Sequence, residues 1–157
     1  MKRWFGIPID NPIVEQICLA IPTEEPVPPE RRHLTLAFCS QRDPEQLIPG
    51  ADQAFEGLTD CLISIHCGLR FMGARAVTLP ASPSHSLLMA RRRLLGLKRQ
   101  DSYAGHVTIG KRLTIGLRDA QRAVDEAFGQ ATEIVIPVRL IGLYSSGHVL
   151  EREWAVG

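Results

Sequence analysis

Two short stretches of this chain repeat one chemical arrangement, His33-Leu34-Thr35-Leu36 and His106-Val107-Thr108-Ile109. In an extended strand, residues two apart share a face. His33 and Thr35 therefore point one way, while Leu34 and Leu36 point the other, toward a core. His106 and Thr108 repeat this, backed by Val107 and Ile109. Each motif sets an imidazole beside a hydroxyl on a rigid strand. Two copies suit displacement at a phosphodiester phosphorus, which needs a proton taken from the attacking oxygen and another given to the leaving oxygen. Histidine fills both roles near neutral pH, and two threonine hydroxyls can donate to the non-bridging oxygens as their charge grows. No metal is required.

A single His-x-Thr in a strand is weak, because most such histidines only complete a core or a surface. A chance match with apolar flanks is expected at roughly one histidine in a hundred. Here two of the five histidines carry the pattern, on separate stretches. The other three, His66, His85 and His148, lack a threonine two residues on and receive no catalytic role.

The surrounding pattern supplies elements to hold the motifs. Residues 3–9 read as an opening strand, rich in aromatic and β-branched side chains. Asp10 or Asn11 can cap a helix over 12–21 with Pro12 in its first turn, although 17–21 alone would also fit a strand. Residues 22–32, with four prolines, read as a loop leading to a strand at 33–39. A helix follows from Asp43-Pro44 to about 57, with Pro49 expected to kink or break it. Strands are expected at 61–72 and 76–79, and Ser82-Pro83 starts a helix with one apolar side. A strand at 106–111, a helix at 117–130, a strand at 133–144 interrupted by Pro137, a turn at 145–147 and a last strand complete the chain.

Composition narrows the class. At 157 residues with 45% apolar and 22% charged residues, the chain fits one globular domain with a sizeable core. The net charge of +1 gives no bulk field for nucleic acid. The four cysteines show no Cys-x-x-Cys spacing, and Cys61, His66 and Cys67 match no usual zinc pattern, so thiols in a reducing compartment are expected. Gly6, Pro8, Asp10 and Pro12 break any signal-peptide core, and no stretch is long enough to span a bilayer. A cytoplasmic monomer without metal or cofactor is the expectation.

With these residues in view, the chain resembles the 2H phosphoesterase superfamily, specifically its bacterial 2′-5′ RNA ligase and RNA 2′,3′-cyclic phosphodiesterase branch. The opening RWFGIPI, the approach Val27-Pro28-Pro29-Glu30 into HLTLAF, the second motif HVTIGK and the late LIGLYSSG carry the resemblance nearly end to end. It implies an α+β bilobal fold, with two antiparallel sheets related by a pseudo-twofold axis around a central cleft and helices outside. The whole chain, 1–157, would form one domain of two intertwined lobes, each giving one His-x-Thr strand. It implies His33 and His106 as the acid–base pair, Thr35 and Thr108 as phosphate donors, and Lys111 as a phosphate or backbone contact. Gly105 departs from the proline common before the second histidine, and His148 and Val149 stand where an aromatic residue often follows the C-terminal turn.

The activity implied is metal-independent hydrolysis of RNA 2′,3′-cyclic phosphate ends to 2′-phosphate, with 2′-5′ ligation as the reverse type of transfer. A small cyclic nucleotide, an ADP-ribose cyclic phosphate or a 2′-5′ oligonucleotide are alternative substrates, and a non-catalytic RNA-binding module is the alternative of another class. Arg31 and Arg32 stand ready to steer an RNA backbone, or are solvated loop charges. Tyr103 or Phe38 can stack on a base, with packing the ordinary role for Phe38 in a core strand. Arg91-Arg92-Arg93 with Lys98 and Arg99 can form a basic rim for RNA, although a solvated helix face is the ordinary role of such a run.

Overall fold

In the computed structural model, which describes residues 1–73, 75–99 and 101–157, the alternating strands and amphipathic helices assemble into one antiparallel sheet with four helices. The strands are β1 Arg3–Pro8, β2 Thr23–Pro26, β3 His33–Phe38, β4 Leu62–His66, β5 Arg70–Met72, β6 Ala76–Pro83, β7 His106–Leu113, β8 Glu133–Pro137, β9 Leu140–Ser145 and β10 Val149–Ala155. The helices are α1 Pro12–Ala20, α2 Pro44–Phe55, α3 His85–Leu95 and α4 Leu117–Phe128. The main sheet order is β10-β9-β1-β3-β7-β6-β4-β8, with β2 beside β7 and β5 beside β6.

The two motif strands meet at the middle of that order. Their contact is one antiparallel pair, Leu34 opposite Val107, beyond which β3 and β7 diverge. Two four-stranded halves thus hinge on a single rung. The halves are alike in detail. In one, Ile7 and Pro8 lie opposite Leu34 and His33; in the other, Leu79 and Pro80 lie opposite Val107 and His106. Both pairings carry a bulge at the same place, leaving Leu36 and Ile109, each just after the motif threonine, as the extra residue. Ile9 N–H donates to the Arg32 carbonyl and Ala81 N–H to the Gly105 carbonyl, both at 3.0 Å. This echo between residues 5–9 and 77–81 extends the symmetry well beyond the motifs.

The face behind the motifs is the core. Leu34, Leu36, Val107 and Ile109 are all 0–2% exposed and share one cluster with Val14 and Ile17 of α1, Leu87 and Ala90 of α3, and Val124 of α4. Burying each such side chain contributes roughly 1.5–3 kcal/mol, which anchors the motif strands from behind. The helices pair as α1 with α4 and α2 with α3, again as a twofold arrangement requires. Among the described residues no helix is long and apolar enough to cross a membrane.

The helix expected after β1 is present at residues 12–20, where Asn11 Oδ1 accepts from Ile13 and Val14 N–H. Other local expectations change. The proline-rich loop contains β2, which pairs with β7 along 110–113 where β3 has diverged, and a 3₁₀ turn at Pro29–Arg31. Prolines are tolerated there because β2 is short and at an edge. The stretch 61–72 divides into β4 and β5, and β6 runs on to Pro83, so α3 begins at His85 rather than at Ser82-Pro83. Helix α2 continues through Pro49, whose exposed position leaves the freed carbonyl to water.

Candidate active site

Opposed residues in paired strands share a face. Extending the Leu34–Val107 register by one residue each way sets His33 abreast of Thr108 and Thr35 abreast of His106. All four side chains therefore leave the same face, away from the core. Their exposure matches position for position. His33 and Thr35 are half-buried between buried Leu34 and Leu36, and His106 and Thr108 repeat this between Val107 and Ile109.

The His33 ring is held at both nitrogens. Its Nδ1 lies 2.7 Å from the Arg31 carbonyl oxygen, which can only accept, so Nδ1 carries the proton. Nε2 lies 3.1 Å from Thr35 Oγ1 and in the neutral ring accepts from that hydroxyl. Burial pulls the His33 pKa below its ordinary value; the bond to Arg31 opposes this, and the neighbouring His106 reinforces it. His106 Nδ1 faces the Ala104 carbonyl oxygen at 3.5 Å, the counterpart contact made more loosely.

Where β3 and β7 part, the freed carbonyls of each motif strand find other donors. On β7, the Ile109 carbonyl accepts from Val27 N–H at 3.1 Å. On β3, Tyr103 Oη donates to the Thr35 carbonyl and Arg91 Nε to the Leu36 carbonyl, both at 2.8 Å. Arg91 is buried, stacks its guanidinium 4.2 Å over the Tyr103 ring and forks onto Asp101 with two 2.8 Å bonds. Tyr103 is thus occupied in supporting the strand. Arg32 is likewise committed, buried and paired with Glu15 of α1. Lys111 is exposed and sits opposite Ala76, two rungs past the pair of Thr108 with Thr78 and on the motif face. Of the three further residues singled out in the sequence, the structure brings only Lys111 to the open face.

An aromatic group absent from the motif pattern flanks His33. Trp4 lies opposite both Phe38 and Tyr144, two rungs beyond the pair of Gly6 with Thr35. The Trp4 and Tyr144 rings stack at 5.9 Å, and His148 stands 4.6 Å from Tyr144 and 5.2 Å from His33. Gly142 lets Tyr144 lie flat, since a Cβ there would stand 2.6 Å from the ring. His148 occupies the hairpin turn at φ 58°, a strained conformation for a side chain with a Cβ. Its pKa is lowered, first by burial and then by the charges of His33 and Arg31. Phe38 is 71% exposed, contrary to the packing role expected of it. The bulge at Leu36 reverses the alternation, burying Ala37 and turning Phe38 outward. The signal for His148 lay in its place after the Ser145-Ser146-Gly147 turn.

Gly105, the residue before the second histidine, has a packing reason. Any residue with a Cβ, proline included, would run into the Ala81 carbonyl there. Gly105→Ala is expected to cost about 1–3 kcal/mol, read as a lower urea midpoint. An unchanged midpoint would show that the 101–105 segment yields freely.

Among the described residues no three His, Cys, Asp or Glu side chains converge as a metal site would require. The cysteines are free, and burial raises the pKa of each.

The sequence matches no protein-family model and no curated protein. The fold does have solved counterparts. A crystal structure of a phosphoesterase superposes with a TM-score of 0.66 at 19% identity, covering 99% of this chain and 98% of that one. E. coli LigT complexed with ATP gives 0.66 at 20% identity, covering 99% and 96%. TT0787 of Thermus thermophilus gives 0.60 at 14% identity, covering 99% and 97%. LigT has also been crystallised with phosphate and with 3′-AMP. From β1 to β10, then, this chain has the LigT-like 2H phosphoesterase fold.

Proposed function

We propose that this protein is a phosphodiesterase that hydrolyses RNA 2′,3′-cyclic phosphate ends to 2′-phosphate, with His33 and His106 as its acid–base pair. The observation that carries this reading is the emergence of both imidazole–hydroxyl pairs from one face of adjacent strands. A phosphorus above that face would have an imidazole on either side, as in-line displacement needs. Thr108 would donate to a non-bridging oxygen, and Thr35 would do the same once its hydroxyl turns from His33 Nε2 to the phosphate. His33, with its pKa lowered and Nδ1 protonated against Arg31, is available in the neutral form to take a proton from water at Nε2, leaving His106 to protonate the departing ribose oxygen. The Trp4–Tyr144–His148 group offers rings for a base beside His33. LigT holds 3′-AMP in one crystal and ATP in another, which supports a nucleotide or an RNA end as the ligand.

The test is an oligonucleotide ending in a 2′,3′-cyclic phosphate, incubated with the protein in EDTA. The expected product carries a terminal 2′-phosphate. No turnover with chelator, but turnover on adding a divalent metal, would remove the two-histidine mechanism. Binding without turnover under either condition would favour an RNA-binding module. Hydrolysis of small cyclic nucleotides at higher kcat/KM would move the substrate from RNA to those.

A further inference from the structure

The two halves of the site agree in their motifs and differ in their flanks. On the His33 side the flank is aromatic. On the His106 side, β6 and β4 continue the motif face with polar groups. Pro80 lies opposite His106, and the register of β4 sets His66 abreast of Pro80. Thr78 lies opposite Thr108, and Arg70 of β5 lies opposite Thr78. Arg70, His66 and Ser82 line a cavity of about 160 Å³ that reaches Pro80 and Gly105, immediately beside the second motif.

The groups in this cavity suit an oxyanion. Arg70 is exposed and, among the described residues, has no carboxylate within ion-pair distance. His66 Nε2 is 2.9 Å from Ser82 Oγ, and its Nδ1 is 3.8 Å from Glu133, a carboxylate on the far side from Arg70. Thr78 is buried, and its hydroxyl donates to the Arg70 carbonyl at 2.7 Å, which fixes the backbone of β5 beside β6 at this point. Arg70 stands two strand spacings from Thr108, roughly 10 Å, a span comparable to one nucleotide.

We propose that this cavity binds the phosphate on the 5′ side of the terminal nucleotide. The proposal rests on the cyclic-phosphate reading of the motif face. On a ribose, the base leaves from C1′ and the 5′-phosphate from the opposite end, while the cyclic phosphate occupies the edge between. With the cyclic phosphate over the two motifs and the base against the aromatic flank, the 5′-phosphate falls on the Arg70 side. The substrate is then a nucleotide or RNA end bearing a 5′-phosphate group, held in one orientation despite the symmetry of the motifs.

The test compares a nucleoside 2′,3′-cyclic phosphate with the same compound carrying a 5′-phosphate, and with a dinucleotide ending in a cyclic phosphate. The wild-type protein is expected to favour the two 5′-substituted substrates about tenfold or more in kcat/KM, mainly through KM. The preference should shrink with added salt. Arg70→Ala should bring the ratio near one, and Arg70→Lys should restore part of it. A wild-type ratio near one, or a preference that survives Arg70→Ala, overturns the subsite while leaving the cyclic phosphodiesterase reading intact. Absence of turnover on all three substrates overturns that reading, and the subsite with it.

Discussion

Replacing His33 by alanine is expected to lower kcat for cyclic-phosphate hydrolysis about 10²–10⁴-fold, the range by which a placed acid or base accelerates proton transfer. His106→Ala should cost a similar factor. The double variant should lose little beyond either single one, because acid and base act in the same step. A near-native rate from either single variant would end the paired scheme. The pH dependence supplies an independent check. As a base, His33 must be neutral, so the rate falls as pH drops through its pKa. Burial and the neighbouring His106 hold that pKa below the ordinary histidine value of about 6.5. The acid limb of kcat/KM should therefore lie below pH 6.5. An acid limb above 6.5 would mean that His33 is not the group whose neutral form the reaction needs.

The second large effect concerns a residue that touches no reacting atom. Arg91→Ala is expected to destabilise the protein by about 2–3 kcal/mol, measured by urea unfolding. The loss combines the Leu36 carbonyl left without its donor, the emptied volume against Tyr103, and the missing partner of Asp101. Arg91→Lys should recover little, since an ammonium cannot reproduce the fork on Asp101 together with the bond to Leu36. Asp101→Asn should cost less, because that carboxylate is solvent-exposed and screened. A variant within about 0.5 kcal/mol of wild type, the spread of ordinary surface substitutions, would show that the bulge carbonyl finds another donor. The same contacts explain why Arg91 does not belong to the solvated basic face read from the sequence. Its helical position faces β3, and the bulge there presents a carbonyl that only a long donor reaches.

The strands bearing the motifs were legible because alternation has period two, and both HLTLAF and HVTIGK keep it through the residue after the threonine. The alternation fails at Ala37 and at Gly110. A bulge has no strong local signature, so the outward turn of Phe38 was hidden until the pairing of β1 with β3 was known. The division of 61–72 into β4 and β5 was hidden likewise, since a run of apolar residues does not show which partners its two parts will meet.

Sequence alone determined the chemistry of the site: two imidazoles, each with a hydroxyl on the same face, each backed by residues that must be buried. That follows from local geometry, which a strand imposes wherever it lies. Tertiary structure decided which neighbours these groups acquired. Only pairing across distant segments brought Trp4, Tyr144 and His148 to His33, set Arg70 and His66 beside His106, and drew Arg32 and Tyr103 away to Glu15 and Thr35. Those contacts depend on strand order and register, which many segments settle together and no single stretch encodes.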